Sequence, residues 1–505
     1  MSLPPAKAPP GKLFDRPALL GLAASLLILF ALQGFFFSRI STSWRTHLYP
    51  LDSMNDTRGT IWFSLHLQKK GPYGKPDPHP LFALNDLLAK PPLSSMIFNW
   101  FLPELDHEFD VTYEDYKRVV IFQMLLTVLI AVLLFSTAKI ATASNAAATL
   151  TSLFYVLDLP SVTMGFYIYT DLIFTFFLVA GLASFILSFE GAVPPLLRRV
   201  LFIGSAVWWG LATLTRLNSL YFFAPVAVAA AAAVLKERSA GPSRFWGAVK
   251  PFLKRYAVWF LVFGGIVSWR HYQVWRLTGK AFFSLNGIYA AGSKAEIMSE
   301  VERISFGDAY GRYMARDFLD KVHESGDDVD RIIELNQTAA EEYVKTAKAH
   351  PAIVFRQFLI HASRLFNTAG RTQIGDVLGE QPSMLIDRNL VARPWLMLKP
   401  ENLKIILGHP RETGLIWVVW VWTHLFFLYV CSAAAALFVL KRLVRGDLGF
   451  PLWAFTAFLF FGYLAFFYSL VNGVVRYRVP IIPELALLAG WGGTLISERM
   501  RRGRA

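Results

Sequence analysis

A single cysteine in 505 residues, Cys431, lies inside an apolar run, so no intrachain disulfide is available and no Cys-rich metal site can form. The histidines add nothing to that: His66, His79, His107 and the rest show neither i, i+4 nor HxxEH-like spacing and read as surface or interface residues. There is no Gly-rich phosphate loop, no internal repeat and no low-complexity tract. Acidic residues are scarce beside basic ones, 36 against 50, for a formal charge of +14. The excess sits in short stretches between apolar segments, which makes it a mark of membrane orientation rather than of a nucleic-acid surface.

What the chain has in abundance is apolar surface. Hydrophobic residues make up 54% and aromatic residues 15%, too much for a soluble protein of this length, so the fold class expected is an all-α polytopic membrane protein. With about 20 apolar residues to a span, ten spans are expected, at roughly 17–38, 118–138, 141–157, 166–188, 199–214, 217–235, 256–273, 414–439, 450–471 and 479–496. The first reads as a retained helix, since it has no convincing small-residue cleavage site. With the N-terminus inside, every inside segment is basic, from Lys7, Lys12 and Arg16 to Arg499, Arg501, Arg502 and Arg504. The positive-inside rule favours that orientation and not its reverse.

Two long polar regions, 39–117 and 274–413, then fall outside. The expected organisation is an N-terminal membrane module over 1–273, a helical outer segment over 274–413, and C-terminal spans with a basic tail over 414–505. In the first loop, Thr57 to Lys70 predicts a helix lying flat on the membrane, with Ile61, Trp62 and Leu65 facing lipid and Gly71 ending it. A second helix starts at Pro91-Pro92 and runs through Trp100 and Phe101. Amphipathic runs are expected at 296–323, 326–349 and 351–367.

Ionisable residues near the membrane surface are functional candidates, because burying them in lipid is costly. Asp52, Asp56, Lys90, Asp158, Asp171, Arg216, Arg476 and Arg478 all fall near the outer ends of spans or in the first loop. Each has a plainer reading. Asp56 is equally placed to cap the helix that begins at Thr57. Asp158 is a turn residue before proline, Asp171 an N-cap, and Arg216 a snorkelling side chain. Arg476 and Arg478, on either side of Tyr477, mark a membrane edge.

The stretch "NDTRGTIWFSLHLQKKG" (55–71) resembles the first-loop signature of polyprenyl-phosphate-sugar-dependent glycosyltransferases of the GT-C fold, the superfamily of protein O-mannosyltransferases and lipid A aminoarabinose transferases. Further resemblances follow in order: "AKPPLSSMIFNWF" (89–101), "YIYTDLIFTFFLVAGLASF" (167–185), "GLATLTRLNSLYFFAP" (210–225), "AHPAIVFRQFLIHASRLFN" (349–367) and "VVRYRVPIIPELALLAGWG" (474–492). Counting back from Gly71, the resemblance implies Asp56 as the catalytic carboxylate, with Thr57 where the family often has Glu. Ala89 stands where the lipid A branch often has Glu, so no metal site is carried over and no cofactor is implied.

The resemblance implies an inverting transfer of a sugar from a polyprenyl-phosphate donor to a hydroxyl of a glycan, lipid or protein acceptor, in a bacterial inner membrane with the site on the periplasmic side. Asp56 serves as general base. Lys90, Arg216, Arg476 and Arg478, with Tyr477 between the last two, bind the phosphate; Asp171 orients sugar or acceptor hydroxyls. Asp52 and Asp158 are second candidates. Two alternatives stay open. One is a lipid or sugar transporter or flippase, disfavoured by the absence of repeats and by the few charges near span midpoints. The other is a lipid-linked polysaccharide polymerase or ligase, for which Arg364 and Arg371 supply later basic residues.

Overall fold

The computed structural model describes residues 15–48, 56–74, 84–107, 110–238, 242–326, 328–368, 370–379, 399–408, 414–471 and 475–502. Among these residues there are helices and turns and no strand.

The apolar runs fold as α1 (Arg16–Phe37), α5 (Tyr113–Thr142), α6 (Asn145–Val156), α8 (Asp171–Ser188), α9 (Pro195–Thr213), α10 (Phe223–Arg238), α11 (Pro242–Thr278), α16 (Leu415–Val444), α17 (Leu452–Val471) and α18 (Ile482–Arg502). The first polar loop contributes α2 (Asp56–Lys70), α3 (Leu84–Ala89) and α4 (Leu93–Phe98), and α7 (Leu159–Thr163) follows α6. The second polar region contributes α12 (Gly287–Val301), α13 (Val329–Ala349), α14 (Pro351–Asn367) and α15 (Arg371–Leu378).

Six stretches of the described residues are long and apolar enough to cross a membrane: α1, α5, α8, α16, nearly all of α17, and Leu217–Lys236, which includes most of α10. Helix α6 and the segment Leu159–Phe166, bent by 60° at the break, are long and apolar enough only when taken together, as a broken span or a re-entrant loop. The three other expected spans are helical as α9, α11 and α18 but fall outside that set.

Local chemistry sets the helix ends. Thr112 and Asp115 form a capping box at the start of α5, and Ser144 caps α6 through the Ala147 N–H. Gly71, with φ of 68°, stops α2 where a side chain would be strained. Glycine also sets helix packing: a Cβ built on Gly492 of α18 would stand 1.8 Å from the Cys431 carbonyl oxygen of α16. Close approach through small residues is how membrane helices gain packing when lipid supplies no hydrophobic drive between them.

Helix α11, at 37 residues, extends about 55 Å at 1.5 Å per residue, well beyond the roughly 30 Å hydrocarbon layer. Its C-terminal end carries Val274 and Leu277 into a second apolar core with Trp62, Phe63 and Leu67 of α2, Leu84, Leu87 and Leu88 of α3, Leu285, and Ile332 of α13. That core corrects one expectation. Helix α2 does not lie flat on lipid: Gly59 to Leu67 are buried all round, and Trp62 is 9% exposed. Both polar regions close over it, so its polar and apolar sides alike face protein.

Two boundaries also differ. Helix α4 ends at Phe98, leaving Trp100 exposed. The run expected over 296–323 breaks after Val301, where Arg303 takes φ of 57° and Ser305 caps a new helix through the Asp308 N–H.

Candidate functional site

At the end of the bundle where the polar regions meet, a cavity of about 300 Å³ opens among α2, α3, α12, the start of α8, the turn after α9, and the end of α17 with the turn that follows it. Its charged lining comes from Lys90, Asp171, Arg216 and Arg476, and Tyr477 lines it beside them. Five of the residues singled out from sequence therefore share one chamber, although they come from four separate stretches of chain.

Asp171 is the first residue of α8, but it is not the cap: the N-cap position is Thr170, without a side-chain bond. The Asp171 carboxylate, 1% exposed, instead accepts a hydrogen bond from the Arg216 guanidinium at 2.6 Å. Arg216 does not snorkel to lipid. It stays inward, matched by that carboxylate, with its guanidinium 5.3 Å from the Tyr477 ring centroid.

Arg476 stands between two aromatic faces, 5.4 Å from the Tyr169 centroid and 5.0 Å from that of Tyr477. Its Nη2 also donates to the Tyr477 hydroxyl at 3.2 Å. Tyr477 in turn stacks on Tyr468 at 5.1 Å with the rings within 8° of parallel. Both guanidiniums thus lie near the Tyr477 ring.

Lys90 follows α3 and precedes Pro91-Pro92. The Leu93 N–H donates to the Leu214 carbonyl at 3.0 Å, tying this segment to the turn that carries Arg216. Ser95 donates to the Thr60 carbonyl at 3.4 Å, bringing α4 against α2. Thr60 and Phe63 of α2 line the cavity.

The other candidates divide. Asp56 is the first residue of α2; only its backbone position is described, and by helix periodicity it shares a stripe with Thr60 and Phe63 at i, i+4 and i+7. Asp52 lies outside the described residues. Asp158 is not in the cavity. It is fully buried and caps α7, accepting from the Ser161 N–H at 3.0 Å and the Ser161 hydroxyl at 2.6 Å. Arg478 also leaves the chamber: its fully buried guanidinium donates to the Thr368 carbonyl at 2.8 Å. Of the two arginines in the tight turn Val475–Arg478, Arg476 alone lines the chamber.

Several lining residues were not anticipated: Tyr169, Asn218, Asn286, Tyr289 and Tyr468. Tyr169 and Tyr468 sit in aromatic runs whose periodicity marks apolar packing, and nothing in the sequence separates a lining tyrosine from a core one. Asn286 and Tyr289 open α12, far from any motif.

Residues 87–279 match the model of the dolichyl-phosphate-mannose-protein mannosyltransferase family. No curated protein matches the chain. Among solved structures, an oligosaccharyltransferase, AglB from Archaeoglobus fulgidus, determined with an inhibitory peptide and a dolichol-phosphate, is 12% identical with a TM-score of 0.47. That similarity covers 96% of this chain and 51% of AglB, so the chain spans about half the length of that neighbour. The S. cerevisiae protein O-mannosyltransferase complex Pmt1-Pmt2, bound to its sugar donor, is 16% identical over 50% of this chain and 34% of that one, with a TM-score of 0.35. ArnT from Cupriavidus metallidurans, bound to undecaprenyl phosphate, is 15% identical over 90% and 76% of the two chains, with a TM-score of 0.32. The match to the dolichyl-phosphate-mannose-protein mannosyltransferase family spans the segment that supplies Lys90, Asp171 and Arg216.

Proposed function

We propose that this protein is an inverting glycosyltransferase that moves a sugar from a polyprenyl-phosphate donor to an acceptor hydroxyl at the outer face of the membrane. The observation that carries this reading is the chamber itself: Lys90, Arg476 and the Arg216–Asp171 pair gathered at one end of an apolar bundle. A lipid-linked donor keeps its tail in the membrane and its phosphate at the surface, and cations gathered at one end of the bundle suit such a phosphate.

In the reaction the acceptor oxygen attacks the anomeric carbon. The bond from that carbon to the phosphate oxygen breaks, and its electron pair leaves with the polyprenyl phosphate. The acceptor proton passes to the Asp56 carboxylate, the proposed base, whose backbone position starts the stripe that Thr60 and Phe63 continue into the cavity. The leaving group is already an anion, so it calls for positive charge rather than a protonating acid. Lys90 supplies a point charge and Arg476 a planar fork suited to phosphate oxygens. Arg216 is already matched by Asp171, so we assign that pair to orienting sugar hydroxyls and supporting Tyr477. Asn286 and Tyr289, from the second polar region, are the acceptor-side wall.

The test is transfer by purified protein in lipid, from a labelled polyprenyl-phosphate sugar to an added acceptor, read as a new glycosidic bond. Movement of labelled lipid across vesicles without such a bond would favour a transporter and overturn the proposal.

A further inference from the structure

Arg270 of α11 is fully buried, and its hydrogen bonds go to neutral groups. Its Nη2 donates to the Leu87 carbonyl at 3.0 Å and the Leu88 carbonyl at 2.9 Å, its Nε to the Phe283 carbonyl at 3.2 Å, and its Nη1 to the Gln273 side chain. Gln273, also fully buried, passes the connection on by donating to the Pro72 carbonyl at 2.9 Å. A guanidinium is costly to bury in such a place. Apolar packing alone would close this core with less cost, so the bonds deserve a role of their own.

They meet at the carbonyl end of α3, where orphan C=O groups need donors. Leu87 and Leu88 receive Arg270, the Leu88 carbonyl receives the Leu285 N–H at 3.4 Å, and the Ala89 carbonyl receives the Ser284 hydroxyl at 2.8 Å. The next residue is Lys90. Beyond it the Leu93 N–H is held by the Leu214 carbonyl. The Lys90 backbone is thus clamped on both sides, and through Gln273 the same fork also fixes the segment that ends α2.

We infer that Arg270, with Gln273 and Ser284, is a positioning residue for the phosphate site, holding Lys90 in register with the helix that starts at Asp56. The inference rests on the functional reading above for the meaning of Lys90. Arg270 touches no substrate; its planar set of donors spans three chain segments that a lysine, with one ammonium, cannot reach together.

The experiment compares wild type, Arg270→Lys, Ser284→Ala, Lys90→Met and the Lys90→Met double variants in the full-length protein, by donor and acceptor kinetics and by hydrogen exchange. Misplacing a contact by about 1 Å costs on the order of 10²-fold. Arg270→Lys is therefore expected to lower donor kcat/KM at least about tenfold while leaving acceptor KM unchanged. Ser284→Ala, which removes one hydrogen bond and keeps the fold, is expected to lower it about threefold. In the Lys90→Met background both effects shrink, because the residue being positioned is gone. Exchange should quicken at the amides of 85–90 and stay unchanged in α8.

Losses that multiply equally with and without Lys90, or unchanged exchange at 85–90 in both variants, would overturn the inference. The exchange result is independent of turnover. A wild type that transfers no sugar would instead refute the glycosyltransferase reading and leave the clamp itself to be judged by exchange.

Discussion

Arg216 donates to Asp171 at 2.6 Å, joining the turn after α9 to the first residue of α8 at the wall of the chamber. The two residues stand 45 positions apart in sequence, and each has a plausible solitary role there. Paired, they form a buried ion pair, which is poor evidence of stability gained but is costly to break on one side.

Arg216→Met or Asp171→Ala leaves the partner's charge uncompensated and should each cost about 3–5 kcal/mol. Thermal unfolding in detergent checks this. The double variant, with both charges gone, should unfold at a higher temperature than either single variant and still lose turnover.

Asp56→Asn should retain folding and donor binding while lowering kcat by about 10² to 10⁴-fold, the usual contribution of a positioned base. Single-turnover transfer with donor bound in advance separates this from a binding defect. Full activity would remove Asp56 from the mechanism.

Arg476→Lys keeps the charge and loses both the flat contact with Tyr169 and Tyr477 and the capacity for two parallel bonds to phosphate. Donor kcat/KM should fall about tenfold. Tyr477→Phe retains the ring and loses only the hydroxyl that Arg476 reaches at 3.2 Å, so a smaller fall is expected. Kinetics at saturating acceptor distinguish the two.

The N-terminal helix has its own pH dependence. The Ala18 N–H, followed by the Asn145 amide, holds the Asp15 carboxyl below its ordinary value of 3.8. A depressed carboxylate stabilises the folded state above its ordinary pKa, and that contribution is lost as pH falls through the lowered value. Proteolysis near residue 15 should therefore quicken on acidification below about pH 4 in wild type, and Asp15→Asn should remove that dependence.

The bundle was legible because apolar runs of membrane length have few other uses, and the chamber because charge at a membrane edge is rare. Lys90, Asp171, Arg216 and Arg476 carry that signal and line one cavity, with Tyr477, which the resemblance supplies, beside them. Arg478 and Asp158 carried the same signal and lie elsewhere, since a charged residue near a span end serves equally well as a ligand for backbone carbonyls or as a helix cap. The amphipathic pattern of α2 predicts an apolar side on lipid. Ile61 and Leu65 join the main core instead, and Trp62 packs with Leu87, Val274 and Ile332, from stretches that no local pattern connects to it. Arg270 lay inside an expected span, where a charge is itself a signal, but its partners are carbonyls and carbonyls leave no mark in a sequence.

Native mass spectrometry of the purified protein addresses the claim that this chamber holds an isoprenoid phosphate. Wild type should carry an adduct of that mass, and Lys90→Met combined with Arg476→Met should carry none while remaining folded. Wild type without such an adduct even after incubation with a polyprenyl phosphate, or equal adduct in both proteins, would contradict it.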